Sequence, residues 1–219
     1  MPHIALYTQL IQAKGSYLDD SFDAHVLASI FTAAAMEIDT GGSLAEGLGI
    51  SGKELRRMIA AYLPDAATLL ENFGIDNETP VGDEEQSLRR LLLRSRSTPA
   101  PLSSVLSIII ARRATRPNHL WQDLGLANRG ELSRLMQRHF APLAFRNNQD
   151  MKWKKFFYRL ICQDEDSRIC LAPSCSECID FERCFGDESG ESILARTRLV
   201  QEIPSLDRGR IAGNTMNER

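Results

Sequence analysis

The 219-residue sequence has no glycine-rich phosphate loop, no Ser/His/Asp signature and no metalloprotease motif. It therefore lacks the common equipment for phosphoryl transfer, acyl transfer or zinc-dependent hydrolysis, and a conventional enzyme is not the favoured reading. Long apolar runs are missing too. The longest, Val105 to Ala111, falls far short of the roughly 20 apolar residues that a membrane-spanning helix needs. Met1 to Asp20 shows no basic start followed by an apolar stretch, so no secretory signal is expected and the reading places the protein in the cytoplasm. Positive charge is also in short supply. A formal charge of -3 gives no bulk field for polyanions, which disfavours nucleic acid unless one face is locally basic. What remains is a chain that is 43% hydrophobic, enough to bury a core in one large or two small domains.

The patterning is helical. Val26 to Glu37 is rich in Ala, Ile and Leu without strand-like alternation. Ser51 and Glu54 have capping-box spacing and open a helix that carries Leu55, Met58, Ile59 and Tyr62 on one face and stops at Pro64. Asp76 to Glu85 is acidic with Gly and Pro and reads as a loop, Ser95 to Pro101 reads as a joint, and Leu88, Leu91 and Leu92 mark a short helix between them. Met151 to Leu160 places Trp153, Phe156, Phe157 and Leu160 on one helical face and Lys152, Lys155 and Arg159 on another.

An internal repeat underlies part of this pattern. Leu44, Leu48, Gly49 and Ile50, followed by Glu54, Leu55, Arg57 and Met58, align with Leu120, Leu124, Gly125 and Leu126, followed by Glu131, Leu132, Arg134 and Leu135. Pro64 or Pro142 closes each copy. The fold expected is an all-α, multi-helix bundle with two pseudo-repeated helix–turn–helix units, followed by a Cys-rich cluster loop and a flexible C-terminal tail. In residue terms this is an N-terminal helical region (1-98), a helical region with the cysteine segment (99-204), and a disordered tail (205-219).

Four of the five cysteines fall within one segment, Cys170, Cys175, Cys178 and Cys184, spaced C-x4-C-x2-C-x5-C. An extended chain advances at most about 3.5 Å per residue, so these sulfurs can converge on one small inorganic centre without help from distant parts of the fold. In a reducing compartment clustered thiols read as metal ligands or redox groups rather than disulfides. Structural zinc sites usually pair two short knuckles a dozen or more residues apart, which this segment does not do. The first three cysteines have the C-x4-C-x2-C spacing of plant-type iron–sulfur sites, and soft thiolates suit iron–sulfur clusters, zinc or copper(I). An iron–sulfur cluster is the favoured cofactor, with zinc as the alternative. Glu177, Asp180 and Glu182 would repel additional negative charge and make such a cluster hard to reduce. Cys162, His119 and His139 are weaker candidates for extra ligands; a lone cysteine or histidine more commonly packs or hydrogen-bonds in the core.

The run from His119, Trp121 and Gly125 through Arg129, Glu131, His139, Phe140 and Asn147 to Met151-Lys-Trp153-Lys-Lys155-Phe156, joined to the cysteine quartet and Phe185-Gly186, resembles the NifQ family of nitrogen-fixation proteins. The resemblance spans Leu106 to Glu188; residues before Ser95 rest on the physical reading alone. It implies a protein that holds molybdenum in an iron–sulfur cluster on Cys170, Cys175, Cys178 and Cys184. By the same resemblance, that molybdenum is donated for biosynthesis of the nitrogenase iron–molybdenum cofactor. The implied partners are molybdate and the cofactor-assembly proteins, namely the scaffold complex and nitrogenase reductase. Lys152, Lys155 and Arg159 would offer a cationic entry for molybdate or a docking face. Two rival readings stand beside this one: an iron–sulfur redox-sensing helix–turn–helix transcription regulator, and a zinc-binding interaction module. The regulator would need a basic recognition helix, for which Arg56 and Arg57 are present while Glu131, Ser133 and Met136 weaken the second copy.

Overall fold

A computed structural model describes residues 3–18, 20–38, 42–75, 80–164 and 188. Among the described residues there are eleven α-helices and no strand: α1 (His3–Gln12), α2 (Ser21–Met36), α3 (Leu44–Leu48), α4 (Gly52–Tyr62), α5 (Ala67–Glu71), α6 (Asp83–Arg94), α7 (Pro101–Ala114), α8 (Leu120–Asp123), α9 (Arg129–His139), α10 (Ala141–Arg146) and α11 (Trp153–Asp164). The all-α expectation holds, and one hydrophobic core runs from Leu6 in α1 to Leu160 in α11.

Two helices form the centre because their sequences are apolar on every side. In α2 even Ser29 and Thr32 are fully buried, and Thr32 meets its own need by donating Oγ1 to the Ala28 carbonyl at 2.7 Å. In α7 Ser107 does the same toward Ser103 at 2.8 Å, so the helix can sink Leu106, Ile109 and Ile110 completely. The outer helices are one-sided. Helix α4 buries Leu55, Met58, Ile59 and Tyr62 and exposes Arg56 and Arg57.

The internal repeat survives as local geometry. Ser51 and Asn128 cap the second helix of each copy through a side-chain oxygen, accepting from the amides of the aligned Glu54 and Glu131. Gly49 and Gly125 both end a short helix in the left-handed conformation, at φ 68° and 72°. Leu63 and Phe140 close α4 and α9 with near-identical dihedrals, φ -138° with ψ 50° and 45°. The copies also interlock. Gly125 lies directly on α2, where a Cβ would stand 2.5 Å from the Ser29 carbonyl oxygen, and Gly49 lies on α7, where a Cβ would stand 2.8 Å from Arg112 Cβ.

Three local expectations need correction. The acidic stretch read as loop through Glu85 already belongs to α6 from Asp83 onward, because Asp83, Glu84 and Glu85 fill a first turn whose free N–H groups favour negative charge. The Ser51–Glu54 pair is half a capping box: Ser51 Oγ accepts from the Glu54 amide, but the Glu54 carboxylate accepts from the Ser51 hydroxyl, at 2.7 Å, rather than from its backbone. Lys152 precedes α11 and is not on its face. The aromatic face itself is as expected, with Trp153, Phe156, Phe157 and Leu160 buried. Burial of four such side chains contributes on the order of 10 kcal/mol of gross transfer free energy.

Candidate metal centre

Cys170, Cys175, Cys178 and Cys184 lie outside the described residues, as does the tail from residue 205. What the structure describes is the platform that flanks the cysteine segment on both sides. Upstream stands α11, and the chain leaves it at Asp164, six residues before Cys170. Downstream stands Glu188, four residues after Cys184, so the two Cα atoms are at most about 14 Å apart.

Glu188 is locked in place. Its side chain is 6% exposed, with Oε2 3.0 Å from Arg129 Nη1 and Oε1 3.5 Å from His119 Nδ1. Both partners sit at helix starts: His119 is the N-cap of α8, its amide donating to Gln122 Oε1 at 3.1 Å, and Arg129 opens α9. Arg129 reaches the opposite way as well. Its Nη2 donates to Asp150 Oδ1 at 2.8 Å and to the carbonyls of Asp150 and Met151 at 2.7 and 3.0 Å. One guanidinium thus joins the return of the cysteine segment to the loop that launches α11.

Beneath this anchor lies a buried charge network. Lys154 Nζ donates to Asp123 Oδ2 and to the Arg116 carbonyl, each at 2.5 Å, and Asn118 donates to the other Asp123 oxygen at 3.0 Å. Burial pulls the Lys154 ammonium below its ordinary pKa, against the opposing hydrogen bond and charge of Asp123; Arg113 adds to the depression and Glu188 opposes it. Arg113 is wholly buried, donating Nε to the Asp123 carbonyl at 2.6 Å and placing Nη2 2.7 Å from Glu37 Oε1. Arg116 meets the other Glu37 oxygen at 3.2 Å. Glu37, Arg116, Asn118 and Asp123 border a cavity of about 530 Å3 that also takes in Ser43 and Glu46. Of its three carboxylates, Glu37 and Asp123 are each matched by a cation.

The weaker ligand candidates separate by place. His139 is a core residue: Nε2 lies 3.1 Å from Asp23 Oδ1 and Nδ1 3.0 Å from Ser103 Oγ, which occupies both ring nitrogens. Of His25, His119 and His139, it is His119 that meets Glu188, where the cysteine segment returns. Cys162 is half-buried near the end of α11. Among the described residues no three His, Cys, Asp or Glu side chains converge as a metal site. The platform supplies position, and four soft sulfurs within fifteen residues remain the donor set whose chemistry fits an iron–sulfur core.

Sequence reasoning missed the Arg113, Asp123, Lys154 and Glu37 network. The available signal was an Arg pair, Arg112 and Arg113, ending the largely buried helix α7; such charges are buried only when paired. The arginines of α9 also have partners within the chain. Arg134 stacks 4.0 Å over the Phe22 ring, Arg138 pairs with Asp20 and Asp23 at 2.9 and 2.8 Å, and Arg129 is held as above. No helix among the described residues is long and apolar enough to cross a membrane.

No solved structure matches this chain. Among curated proteins it is 43% identical over 178 residues to the protein NifQ homolog of Sinorhizobium fredii, covering 80% of this chain and 76% of that one. It is 37% identical over 168 residues to protein NifQ of Rhodobacter capsulatus, covering 75% and 91%. A shorter match, 41% over 106 residues, joins it to protein NifQ of Azotobacter vinelandii, covering 48% and 54%. The NifQ family model matches residues 26–186, from the central helix α2 through all four clustered cysteines and well beyond the half of the chain where the resemblance was first legible. On that span of agreement the chain belongs to the NifQ family.

Proposed function

We propose that this protein serves nitrogen fixation by carrying an iron–sulfur cluster on Cys170, Cys175, Cys178 and Cys184 that takes up molybdenum from molybdate. The molybdenum is then handed to the proteins that assemble the nitrogenase iron–molybdenum cofactor. The observation that carries the reading is the C-x4-C-x2-C-x5-C quartet inside the family match. When bound, an iron–sulfur core supplies the bridging sulfides that must replace the oxygens of molybdate.

The chain's own residues do the rest. The four thiolates hold iron. Arg129 and His119, through Glu188, fix where the cysteine segment returns to the helical body, and Lys154 and Arg113 keep the ground beneath it charge-balanced. Molybdate is cargo, and the scaffold complex and nitrogenase reductase are the acceptors this role calls for. The cytoplasm, where thiols stay reduced, is the compartment it requires.

The test is metal and acid-labile sulfide analysis of protein purified without oxygen, with each of the four cysteines also changed to serine. Brown protein whose iron and sulfide fall with each substitution, and which gains molybdenum on incubation with molybdate, is the expected result. Colourless protein with zinc as its sole metal would overturn it.

A further inference from the structure

A groove of about 460 Å3 lies on the far side of α11 from the buried charge network, between α10, the loop 147–151 and the outer half of α11. Its floor is apolar, formed by Met151, Phe156 and Leu160. Its rim carries two guanidiniums, Arg146 and Arg159, and the carboxamides of Asn148 and Gln149. Among the described residues no carboxylate lines it.

That absence is built into the loop. Asp150, the acid of the loop that walls the groove, adopts φ 54° and pairs its carboxylate with Arg129. Asn147 then braces the turn, donating to the Met151 carbonyl and accepting from its amide, both at 2.9 Å. The wall is thus rigid and stripped of negative charge. Beside it Phe145 is 85% exposed, the most exposed large apolar side chain described. Arg159 already engages a neighbour, whereas Arg146 makes no hydrogen bond or ion pair among the described residues.

An exposed aromatic next to arginine, over an apolar floor with a polar rim, has the composition of an interface hot spot. A small hydrated dianion gains little from a floor of Met, Phe and Leu in an open groove; a peptide with an apolar anchor gains from both the floor and the rim. The geometry points to this groove as the docking site for an acidic segment of an acceptor protein, with an aromatic or aliphatic side chain seated on Met151, Phe156 and Leu160 and its carboxylates on Arg146 and Arg159. This inference rests on the reading that the chain passes its cargo to another protein.

The probe is a fluorescein-labelled synthetic peptide of alternating Glu and Asp around one Phe and one Leu, titrated with the full chain by fluorescence anisotropy. A second peptide with Lys in place of every acid is the control. Saturable binding is expected. Arg146→Glu should weaken it on the order of tenfold at low salt, and Phe145→Ala severalfold at any salt, the Arg146 effect shrinking at about 0.5 M salt. Both positions are exposed, so the variants should keep the wild-type helical circular dichroism and Tm. The proposal falls if the lysine peptide binds equally or if both variants bind like wild type. It also falls if millimolar molybdate displaces the peptide, which would make the groove an oxyanion site, or if Phe145→Ala splits a dimer, which would assign the groove to a second copy. Metal analysis of the same preparation keeps the two readings apart. Peptide binding by a chain that holds no iron–sulfur core sinks the cluster alone; a cluster-bearing chain that ignores the peptide sinks the groove alone.

Discussion

Replacing Gly125 by alanine should be among the most damaging single-methyl additions in this protein. The residue sits at φ 72°, where an alanine costs about 1–2 kcal/mol relative to glycine. The new Cβ would stand 2.5 Å from the Ser29 carbonyl oxygen, 3.1 Å from its carbon and 3.0 Å from Ala33 Cβ. Two of these are backbone atoms of the fully buried α2 and cannot swing aside, so an overpacking cost of about 1–3 kcal/mol is added. The expected loss is roughly 2–5 kcal/mol, a large share of the 5–15 kcal/mol typical of a whole domain. Gly82 provides the control. It is the N-cap of α6, with φ -76° and nothing within 4 Å of a built Cβ, so Gly82→Ala should cost no more than about 1 kcal/mol, the preference for glycine over alanine at a cap. Urea unfolding followed by far-ultraviolet circular dichroism reads both. A Gly125→Ala midpoint equal to that of Gly82→Ala would refute the close approach of α8 to α2. Because α8 also carries His119 and Asp123, the same substitution should speed iron loss from the anaerobic protein, a readout that Gly82→Ala leaves alone.

Asp23 yields a pH prediction. Burial pushes its carboxyl up, but hydrogen bonds and charge from His139 and Arg138 win, and the pKa falls below the ordinary 3.8. A depressed carboxyl contributes stability above its unfolded pKa and loses it as pH falls through the folded one, so the stability gap between wild type and Asp23→Asn should close below about pH 4. A gap that persists undiminished below about pH 2 would contradict the pairing. Lys154→Met strands the buried Asp123 carboxylate and should cost about 3–5 kcal/mol in the same urea assay, with an Asp123→Leu change alongside recovering much of it; a loss under about 1 kcal/mol would place the pair in solvent. Arg129→Gln and Glu188→Gln should each quicken removal of iron by a chelator, and the double variant should fall short of the summed effects, since the two residues share one contact. Additive rates would show two independent roles.

The sequence made the helices legible where one force acted alone. Leu55, Met58, Ile59 and Tyr62 fall on one face because α4 packs on one side only, and Trp153, Phe156, Phe157 and Leu160 follow the same rule. The left-handed glycines and the closing prolines of the repeat were readable because few residues can take their place. The start of α6 was misplaced because Asp, Glu and Gly are common both in loops and in first turns, and only the free amides of the turn decide between them. The inward charges were hidden for a different reason. Arg113 and Asp123 are ten residues apart in the chain, Glu37 and Arg113 seventy-six, and nothing local in composition says which charge will find which. Of the candidate site, the cysteine quartet is visible in the spacing and lies outside the described residues, while Glu188 was not legible: a lone glutamate in an acidic stretch carries no mark of the arginine and histidine waiting for it.

The crossing of the two copies bears on how such a chain can be cut. Each half contributes a bare backbone patch that only the other half's central rod can cover, Gly125 on α2 and Gly49 on α7. A gene fragment ending near residue 98 would therefore expose one side of α2 to water and leave α3 packed on α2 alone, without α7. Such fragments should be recovered only when both are made together in one cell, as two complementing pieces of a single fold.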